Sequence, residues 1–350
     1  MSFKISVIFL YLILLQSFLF GSSQISDPLS LAVGARALGM GKASVAVYND
    51  GTSIFTNASC MEFEKRLKIV SMAGNFLSEV PYGIIGVAIP TKKGTFGIGY
   101  VRISISGIEE TTLSGATPEA TGNNATYSNS ALVLSYSIPF SNIKIKNIKE
   151  VKAGISLKSF NQNYNGTSAF TAGNSNGFDI DLSSSAKIFD KTVVGVVVKN
   201  ILPGNNIYYQ NGVGVDELPT LPIIGVSHRL DNPNMLLALD IEGSKNVLFH
   251  FGAEYIRNDI TFRGGLDQTL YSGAPATNWT FGFGGIFNGM SFDYAYHTYF
   301  DIPEFSTHFF SIGYLGRVAT DEVRTQENID IKKKEENIER PKEPFVVPSK

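Results

Sequence analysis

Short runs of alternating apolar and polar residues recur along most of the chain, and each is about as long as a strand that crosses a membrane. Divided at clusters of Gly, Pro, Asn, Asp and Lys, they predict fourteen strands. These lie at residues 66–78, 81–90, 94–106, 126–140, 151–164, 175–188, 192–200, 218–230, 234–244, 246–256, 259–271, 277–288, 290–300 and 305–315. Beyond the N-terminus no stretch approaches the roughly 18 apolar residues that a spanning helix needs, which excludes a helical membrane protein.

The two faces of these runs differ in chemistry. In the run 246–256 an apolar face opposes a small or polar one, with Val247, Phe249, Phe251, Ala253 and Tyr255 opposite His250, Gly252 and Glu254. Charged residues make up only 17% of the chain, fewer than in most soluble domains. An apolar outer face fits a closed barrel in lipid, because closure satisfies every backbone N–H and C=O group. The alternative is a soluble β-sandwich, in which the apolar faces would meet in one core.

The connections between the runs differ in length. Short connections are expected at the periplasmic end of a barrel and long, polar ones at the extracellular end. The short ones are 90–94, 190–191, 231–233 and 288–289, and the longer ones are 107–125, 164–175, 201–217 and 272–277. The Lys-containing connection 141–150 does not fit this alternation.

Both ends of the chain differ from the predicted barrel at 66–316. Residues 1–23 combine Lys4, an apolar run and three small residues, which predicts a cleaved signal peptide and export to a bacterial outer membrane. An uncleaved membrane anchor is the alternative reading of this segment. Residues 24–65 are rich in Gly and Ala and are expected to form one or two short helices. Residues 317–350 carry 8 Lys/Arg and 8 Asp/Glu and are predicted to be a disordered periplasmic tail.

The residues that would carry enzymatic chemistry are sparse and scattered. The single cysteine, Cys60, allows no internal disulfide and is expected to be a buried apolar side chain. The four histidines lie on separate predicted strands, without an H-E-x-x-H or G-x-S-x-G element. We therefore predict a protein that is not an enzyme, without cofactor or metal. The net charge of −2 and the lack of a basic stripe argue against nucleic acid as a partner.

The N-terminal part of the mature chain carries a more specific pattern. Residues 34–43 read G-A-R-A-L-G-M-G-K-A, residues 46–50 read A-V-Y-N-D, and residues 56–59 read T-N-A-S. This resembles the opening of PorV/PorQ-type proteins in the FadL-like superfamily of outer-membrane barrels, which reads G-A-R-A-x-G-M-G-x-A and ends in N-P-A-G. Residues 251–255, 262–265, 293–296 and 307–314 are similar to the last strands of that group. One departure is Ala58, which stands where the group has proline.

The resemblance implies an all-β fold, a transmembrane antiparallel β-barrel of about fourteen strands with an N-terminal hatch segment inside the barrel. It implies that residues 24–65 form the hatch, with Gly34, Arg36, Gly39, Met40, Gly41, Asp50 and Asn57 as its candidate residues. The glycines would let the hatch backbone approach the wall, and Arg36 and Asp50 would pair with charges in the lumen. The candidate polar residues that face the lumen are His250, Glu254, Arg263, Asp293 and His297.

Two functions from different classes follow from the resemblance. FadL-type relatives are passive channels for hydrophobic small molecules such as long-chain fatty acids, with the hatch as a gate. PorV-type relatives are components of protein secretion, and here the long loops or the charged tail would bind a protein partner. Both functions imply contact with outer-membrane lipid. The hatch motif is common to both, whereas the tail favours the second.

Overall fold

The computed structural model describes residues 27–316 apart from 32, 49, 62–65, 77–78, 141–144, 167–172, 205, 211–213, 244–245, 272, 301–302 and 304–305. The predicted signal peptide and the predicted C-terminal tail lie outside the described residues.

Fourteen antiparallel strands form a closed ring. The described residues contain sixteen strands: β1 (Lys68–Phe76), β2 (Val80–Pro90), β3 (Thr95–Ser114), β4 (Thr117–Pro139), β5 (Ile148–Asn165), β6 (Ser175–Ile188), β7 (Thr192–Lys199), β8 (Asn206–Tyr209), β9 (Val215–Glu217), β10 (Leu221–Leu230), β11 (Met235–Gly243), β12 (Val247–Arg257), β13 (Ile260–Tyr271), β14 (Ala274–Phe287), β15 (Met290–His297) and β16 (Thr307–Leu315). Each wall strand pairs with the next. β1 pairs with β16, with Lys68 opposite Leu315 at one end and Gly74 opposite Phe309 at the other. The short hairpin β8–β9 pairs with β6 and lies outside the ring. The predicted fourteen-strand barrel is confirmed.

The outer surface of the barrel is apolar. The side chains of Trp279, Phe281 and Phe283 on β14 are 54%, 54% and 55% exposed, and Phe249 on β12 is 47% exposed. The residues between them, such as Thr280 and His250, are buried on the inner side. In a sandwich these aromatic rings would be covered by a second sheet, so the soluble alternative is excluded. A closed sheet with an apolar exterior is the fold of a transmembrane barrel.

Three of the predicted loops differ in the structure. Residues 107–125 continue β3 and β4 as a two-stranded ribbon that extends past the neighbouring strands, and the predicted loop 272–277 shortens because β14 begins at Ala274. Gly107, Gly115 and Gly122 have positive φ, and Gly107 lies at a register shift in the β3–β4 pairing. Glycine tolerates these bulge and turn conformations. A Gly-rich stretch that is predicted to be a loop can therefore form a paired hairpin. The predicted loop 201–217 likewise contains β8 and β9.

Residues 27–61 form a compact segment ahead of β1, called the N-terminal segment below. It contains α1 (Ala35–Gly39), α2 (Ser53–Thr56) and 3-10 helices at Pro28–Ser30 and Ala58–Cys60. Most of its described residues are buried, including Leu38, Ile54 and Phe55. None of the helices in the described part of the chain has both the length and the apolar character that crossing a membrane would require.

Candidate functional site

The N-terminal segment bonds to the inner face of the barrel on several sides. Its backbone N–H groups donate to side chains of well separated strands: Ala35 to Ser311 Oγ (2.9 Å), Gly41 to Thr280 Oγ1 (3.0 Å), Ser44 to Asp240 Oδ2 (2.7 Å) and Ser59 to Ser183 Oγ (3.2 Å). These acceptors belong to β16, β14, β11 and β6. The segment therefore crosses the lumen. That it opens as a hatch stays a prediction.

Glycines set the distance between the segment and the wall. A Cβ atom on Gly41 would lie 2.4 Å from the carbonyl O of Leu266, and one on Gly265 would lie 2.3 Å from the backbone N of Gly41. A Cβ on Gly39 would lie 3.2 Å from Cα of Gly282. Gly41 also has φ of 60°, and Gly34 has φ of 91°. A side chain at Gly41 or Gly265 would overlap backbone, so these glycines allow the two chains to pack directly against each other.

A charge network joins α1 to the wall. Arg36 donates to both carboxylate oxygens of Glu254, from Nε at 2.8 Å and from Nη2 at 2.9 Å. Arg263 Nε donates to Glu254 Oε2 at 2.8 Å, and Arg263 Nη1 lies 2.8 Å from Asp293 Oδ1. Asp50 lies 3.6 Å from Arg36. Arg36 thus binds Glu254 of the wall, and Asp50 lies beside Arg36 of the segment and within the influence of the positive charge of Lys68 on β1.

Asp50 is charged in this environment. Burial alone would raise the pKa of its carboxyl group, but the positive charges of Arg36 and Lys68 and hydrogen bonds from Thr52 hold the pKa below its ordinary value. Thr52 donates from its backbone N at 2.9 Å and from Oγ1 at 2.7 Å to Asp50 Oδ1. Asp50 therefore stabilises both the N-terminus of α2 and the guanidinium of Arg36.

A second cluster binds the turn after α1. Asp267, which is fully buried, accepts from His250 Nδ1 at 2.8 Å and from His297 Nε2 at 2.7 Å, and Lys42 Nζ lies 3.1 Å from its Oδ2. His250 and His297 were predicted to face the lumen, and the structure brings them together on one carboxylate. Sequence reasoning missed Lys42 and Asp267, although the period-two pattern places Asp267 on the same face as Arg263. Within the described ranges, no His, Cys, Asp or Glu residues form a group that could hold a metal ion.

The remaining candidates lie within the segment. Asn57 accepts from Ser59 N at 3.0 Å and donates to the Val45 carbonyl at 2.6 Å, and Met40 is 1% exposed against the inner wall. Cys60 is fully buried, as predicted, and its thiol donates to the Val45 carbonyl at 3.4 Å. Burial raises the pKa of that thiol to about 12. None of these three side chains faces open space, so they hold the fold of the segment.

The segment separates two cavities in the lumen. The upper chamber, towards the long connections, has a volume of about 110 Å³ and is lined by Leu29, Val33, Leu38, Lys42, Lys199 and Leu248 among others. The lower chamber, towards the short turns, has a volume of about 240 Å³ and is lined by Arg36, Lys68, Arg229, Glu254, Arg263 and Asp293 among others. The segment therefore lies between an amphipathic compartment and a charged one.

Beside the upper chamber the wall has a break in its backbone pairing, which we call the slit. The β12–β13 ladder ends at His250–Asp267, so residues 247–249 and 268–271, all of them described, are not paired across it. The side chain of Gln268 accepts from Phe249 N at 3.0 Å, and Asn246 Nδ2 donates to the Gly273 carbonyl at 2.8 Å. Gln268 also lines the upper chamber. Among the described residues, these two side-chain hydrogen bonds join the strands at this point.

The chain matches no protein-family model and no curated protein sequence. Among solved structures it is similar to the Pseudomonas putida toluene transporter TodX, with a TM-score of 0.56 and 13% identity over 82% of this chain and 99% of that chain. It is also similar to the CymD monoaromatic hydrocarbon channel (TM-score 0.54, 14% identity, 82% and 97% coverage) and to the Ralstonia pickettii toluene transporter TbuX (0.50, 13%, 82% and 98%). The predicted membership of the PorV/PorQ group stays a prediction. What the similarity shows is the fold: the chain is built as the same kind of barrel as these hydrocarbon channels and transporters.

Proposed function

We propose that the protein is a passive outer-membrane channel for hydrophobic small molecules, with the N-terminal segment as its gate. The observation that carries the proposal is the segment itself, which bonds to several sides of the inner wall of the barrel and has a chamber on either side. A pore for ions or sugars would keep an open aqueous lumen. The fold shared with the toluene transporters supports the same class of solute.

The upper chamber fits an amphipathic solute. Eight apolar residues line it, Leu29 and Leu248 among them, and the polar part of the lining combines two lysines with three acidic residues, Asp27, Asp240 and Glu242. A binding site of this type has an apolar lining with a few fixed polar groups that orient the ligand. We extend the proposal to long-chain fatty acids on the strength of the apolar lining, and a chamber of about 110 Å³ would hold one end of such a molecule.

The slit supports a lateral path between the upper chamber and the membrane. Gln268 lies between the chamber and Phe249, whose ring is 47% exposed on the outer surface. Rotation of the Gln268 amide would remove one of the two side-chain bonds across the slit, without breaking any ladder hydrogen bond. A hydrophobic solute on this path stays in contact with apolar groups and avoids the charged lower chamber.

Uptake by vesicles tests the channel and the gate together. We expect the intact protein to admit a labelled fatty acid, and a Gly39→Val/Gly41→Val variant to admit it faster, because the new side chains overlap backbone and displace the segment. Gly264→Val is the matched control, since the nearest atom to its Cβ is 4.0 Å away. Heat-modifiable migration on gels shows that each barrel is folded. No uptake by any of the three proteins would refute the channel.

A reversible crosslink tests the lateral path. In a Cys60→Ser background, cysteines at Phe249 and Gln268 would close the slit when oxidised, and uptake should fall and return on reduction. The control places the two cysteines at Tyr255 and Phe262, which lie opposite each other within the intact β12–β13 ladder. Oxidation of this pair should leave uptake unchanged. Unchanged uptake through the oxidised slit would exclude this path while leaving the channel standing.

Cell fractionation tests the location. We expect recovery in outer-membrane fractions, because the exposed apolar belt has no stable place in water. Recovery as a soluble periplasmic protein would refute both the location and the channel.

The second candidate function is a barrel that supports protein secretion and transports nothing small. The β3–β4 ribbon favours it, because residues 106–124 extend beyond the barrel and are almost all exposed or half exposed. Replacing the ribbon by a short turn should then abolish secretion of a client protein and leave vesicle uptake unchanged. If deletion of the ribbon has no effect on secretion, this alternative loses its support.

A further inference from the structure

Charged side chains on the outside of the barrel are divided unequally between its two ends. Exposed basic residues predominate at the short-turn end, where Lys92, Lys93, Lys146, Lys149, Lys191 and Arg257 stand against Asp190, Asp231 and Asp259. At the long-connection end the balance is reversed, with Glu79, Glu109, Glu119 and Glu217 against Arg102. These counts cover the described residues only. The two ends therefore present opposite charge to their surroundings.

Large apolar side chains lie next to the basic ones. Ile89 is 47% exposed three residues before Lys92, and Ile145 is 56% exposed directly before Lys146. Phe189, two residues before Lys191, is 57% exposed. Lysine lays its alkyl chain along apolar surface and extends its ammonium group into a polar layer. This alternation places the lysines at the level of lipid headgroups, at the edge of the apolar belt.

Most of these lysine charges are not neutralised by the protein. Lys92, Lys93 and Lys146 form no ion pair with any described residue. Lys149 lies 4.0 Å from Asp190, with both side chains more than half exposed, a pair that contributes little in water. We call these four lysines the basic rim. Only Lys149 has an acidic neighbour among the described residues, and that pair is weak, so all four ammonium groups can bind an external anion.

We propose that the basic rim binds anionic phospholipid headgroups of the leaflet in which the short turns lie. Anionic lipids attract lysines near a membrane surface, and several lysines at one level add their attractions. Neutralising acids are few at this end, and the adjacent apolar side chains fix the rim in the headgroup layer. This inference is independent of what the channel transports.

Lipid selectivity of the purified full-length protein in vesicles tests the proposal. Spin-labelled phosphatidylglycerol should associate with the wild-type protein several-fold more strongly than spin-labelled phosphatidylcholine, and high salt should reduce the difference. In a Lys92→Gln/Lys93→Gln/Lys146→Gln/Lys149→Gln variant the preference should disappear. The matched control neutralises four acids at the other end, Glu79→Gln/Glu109→Gln/Glu119→Gln/Glu217→Gln, and should retain the preference.

Three results would overturn the proposal: equal association of the two lipids with the wild-type protein, an unchanged preference in the lysine variant, or an equal loss in both variants. Heat-modifiable migration of each variant shows that a lost preference does not come from a barrel that failed to fold.

Discussion

The upper and lower chambers are lined by some of the same strands, yet their chemistry differs. β12 gives Leu248 and His250 to the upper chamber and Glu254 and Ile256 to the lower one. Eight apolar residues line the upper chamber and four line the lower, although the lower is the larger, about 240 Å³ against about 110 Å³. Because alternate residues of a strand face inward, a barrel can change its lumen from apolar to charged within a few residues. The N-terminal segment lies at this change and bonds to both sides.

The largest expected effect comes from breaking the charge network on the lower side. Glu254→Gln leaves Arg36 and Arg263 without their shared carboxylate, and removing one partner of a buried pair costs about 3 kcal/mol or more. We expect the segment to leave the wall more often, measured as faster labelling of Cys60 by a thiol reagent. Asp259→Asn, an exposed acid of the same chamber, is the control and should label as slowly as wild type. Equal labelling of both variants would contradict the role of the network.

A smaller loss of stability is expected when a side chain is added where the N-terminal segment packs closely against the wall. Gly265→Ala places a Cβ 2.3 Å from the backbone of Gly41, and such overpacking costs about 1–3 kcal/mol. Gly264→Ala, the neighbouring residue, meets no atom closer than 4.0 Å. The unfolding temperature should fall for the first variant alone. A similar fall for both would mean that loss of glycine itself, and not contact with the segment, destabilises β13.

The roles of the two chambers in binding can be distinguished by placing a large side chain in each of them from β12. Leu248→Trp reduces the upper chamber and should weaken fatty-acid binding by about tenfold, which is ~1.4 kcal/mol. Ile256→Trp fills the lower chamber in the same way and should leave affinity unchanged. Titration with a fluorescent fatty acid measures both. Loss of binding in the Ile256 variant instead would move the proposed site to the lower chamber.

The smallest expected effect is the labelling of Cys60 by a thiol reagent in the wild-type protein. Because burial raises the pKa of Cys60 to about 12, very little thiolate exists at pH 8, and reagent has no access to it. We expect negligible labelling of the folded protein and complete labelling after denaturation. Rapid labelling of the folded wild type would show that the segment leaves the barrel without any substitution.

Local sequence pattern was sufficient for the wall but not for every connection. The alternation of Trp279, Phe281 and Phe283 with small residues predicted both the strand β14 and its outward face, since a period of two depends only on neighbouring residues. The ribbon at 107–125 was missed because its Gly and Asn residues also occur in loops, and pairing between the two halves of a hairpin cannot be read from composition. The resemblance placed Arg36 in a hatch, but nothing local identifies Glu254 as its partner 218 residues away.

The sequence by itself therefore determined an all-β chain with one apolar face per strand, because lipid and backbone hydrogen bonding leave a closed barrel as the stable arrangement of such strands. The tertiary structure decided which residues meet inside it: the Arg36–Glu254–Arg263 network, the two histidines on Asp267, the slit beside Gln268 and the division of the lumen into two chambers. Those contacts depend on the register of fourteen strands and on how the N-terminal segment folds back into the ring, and both are set by long-range packing.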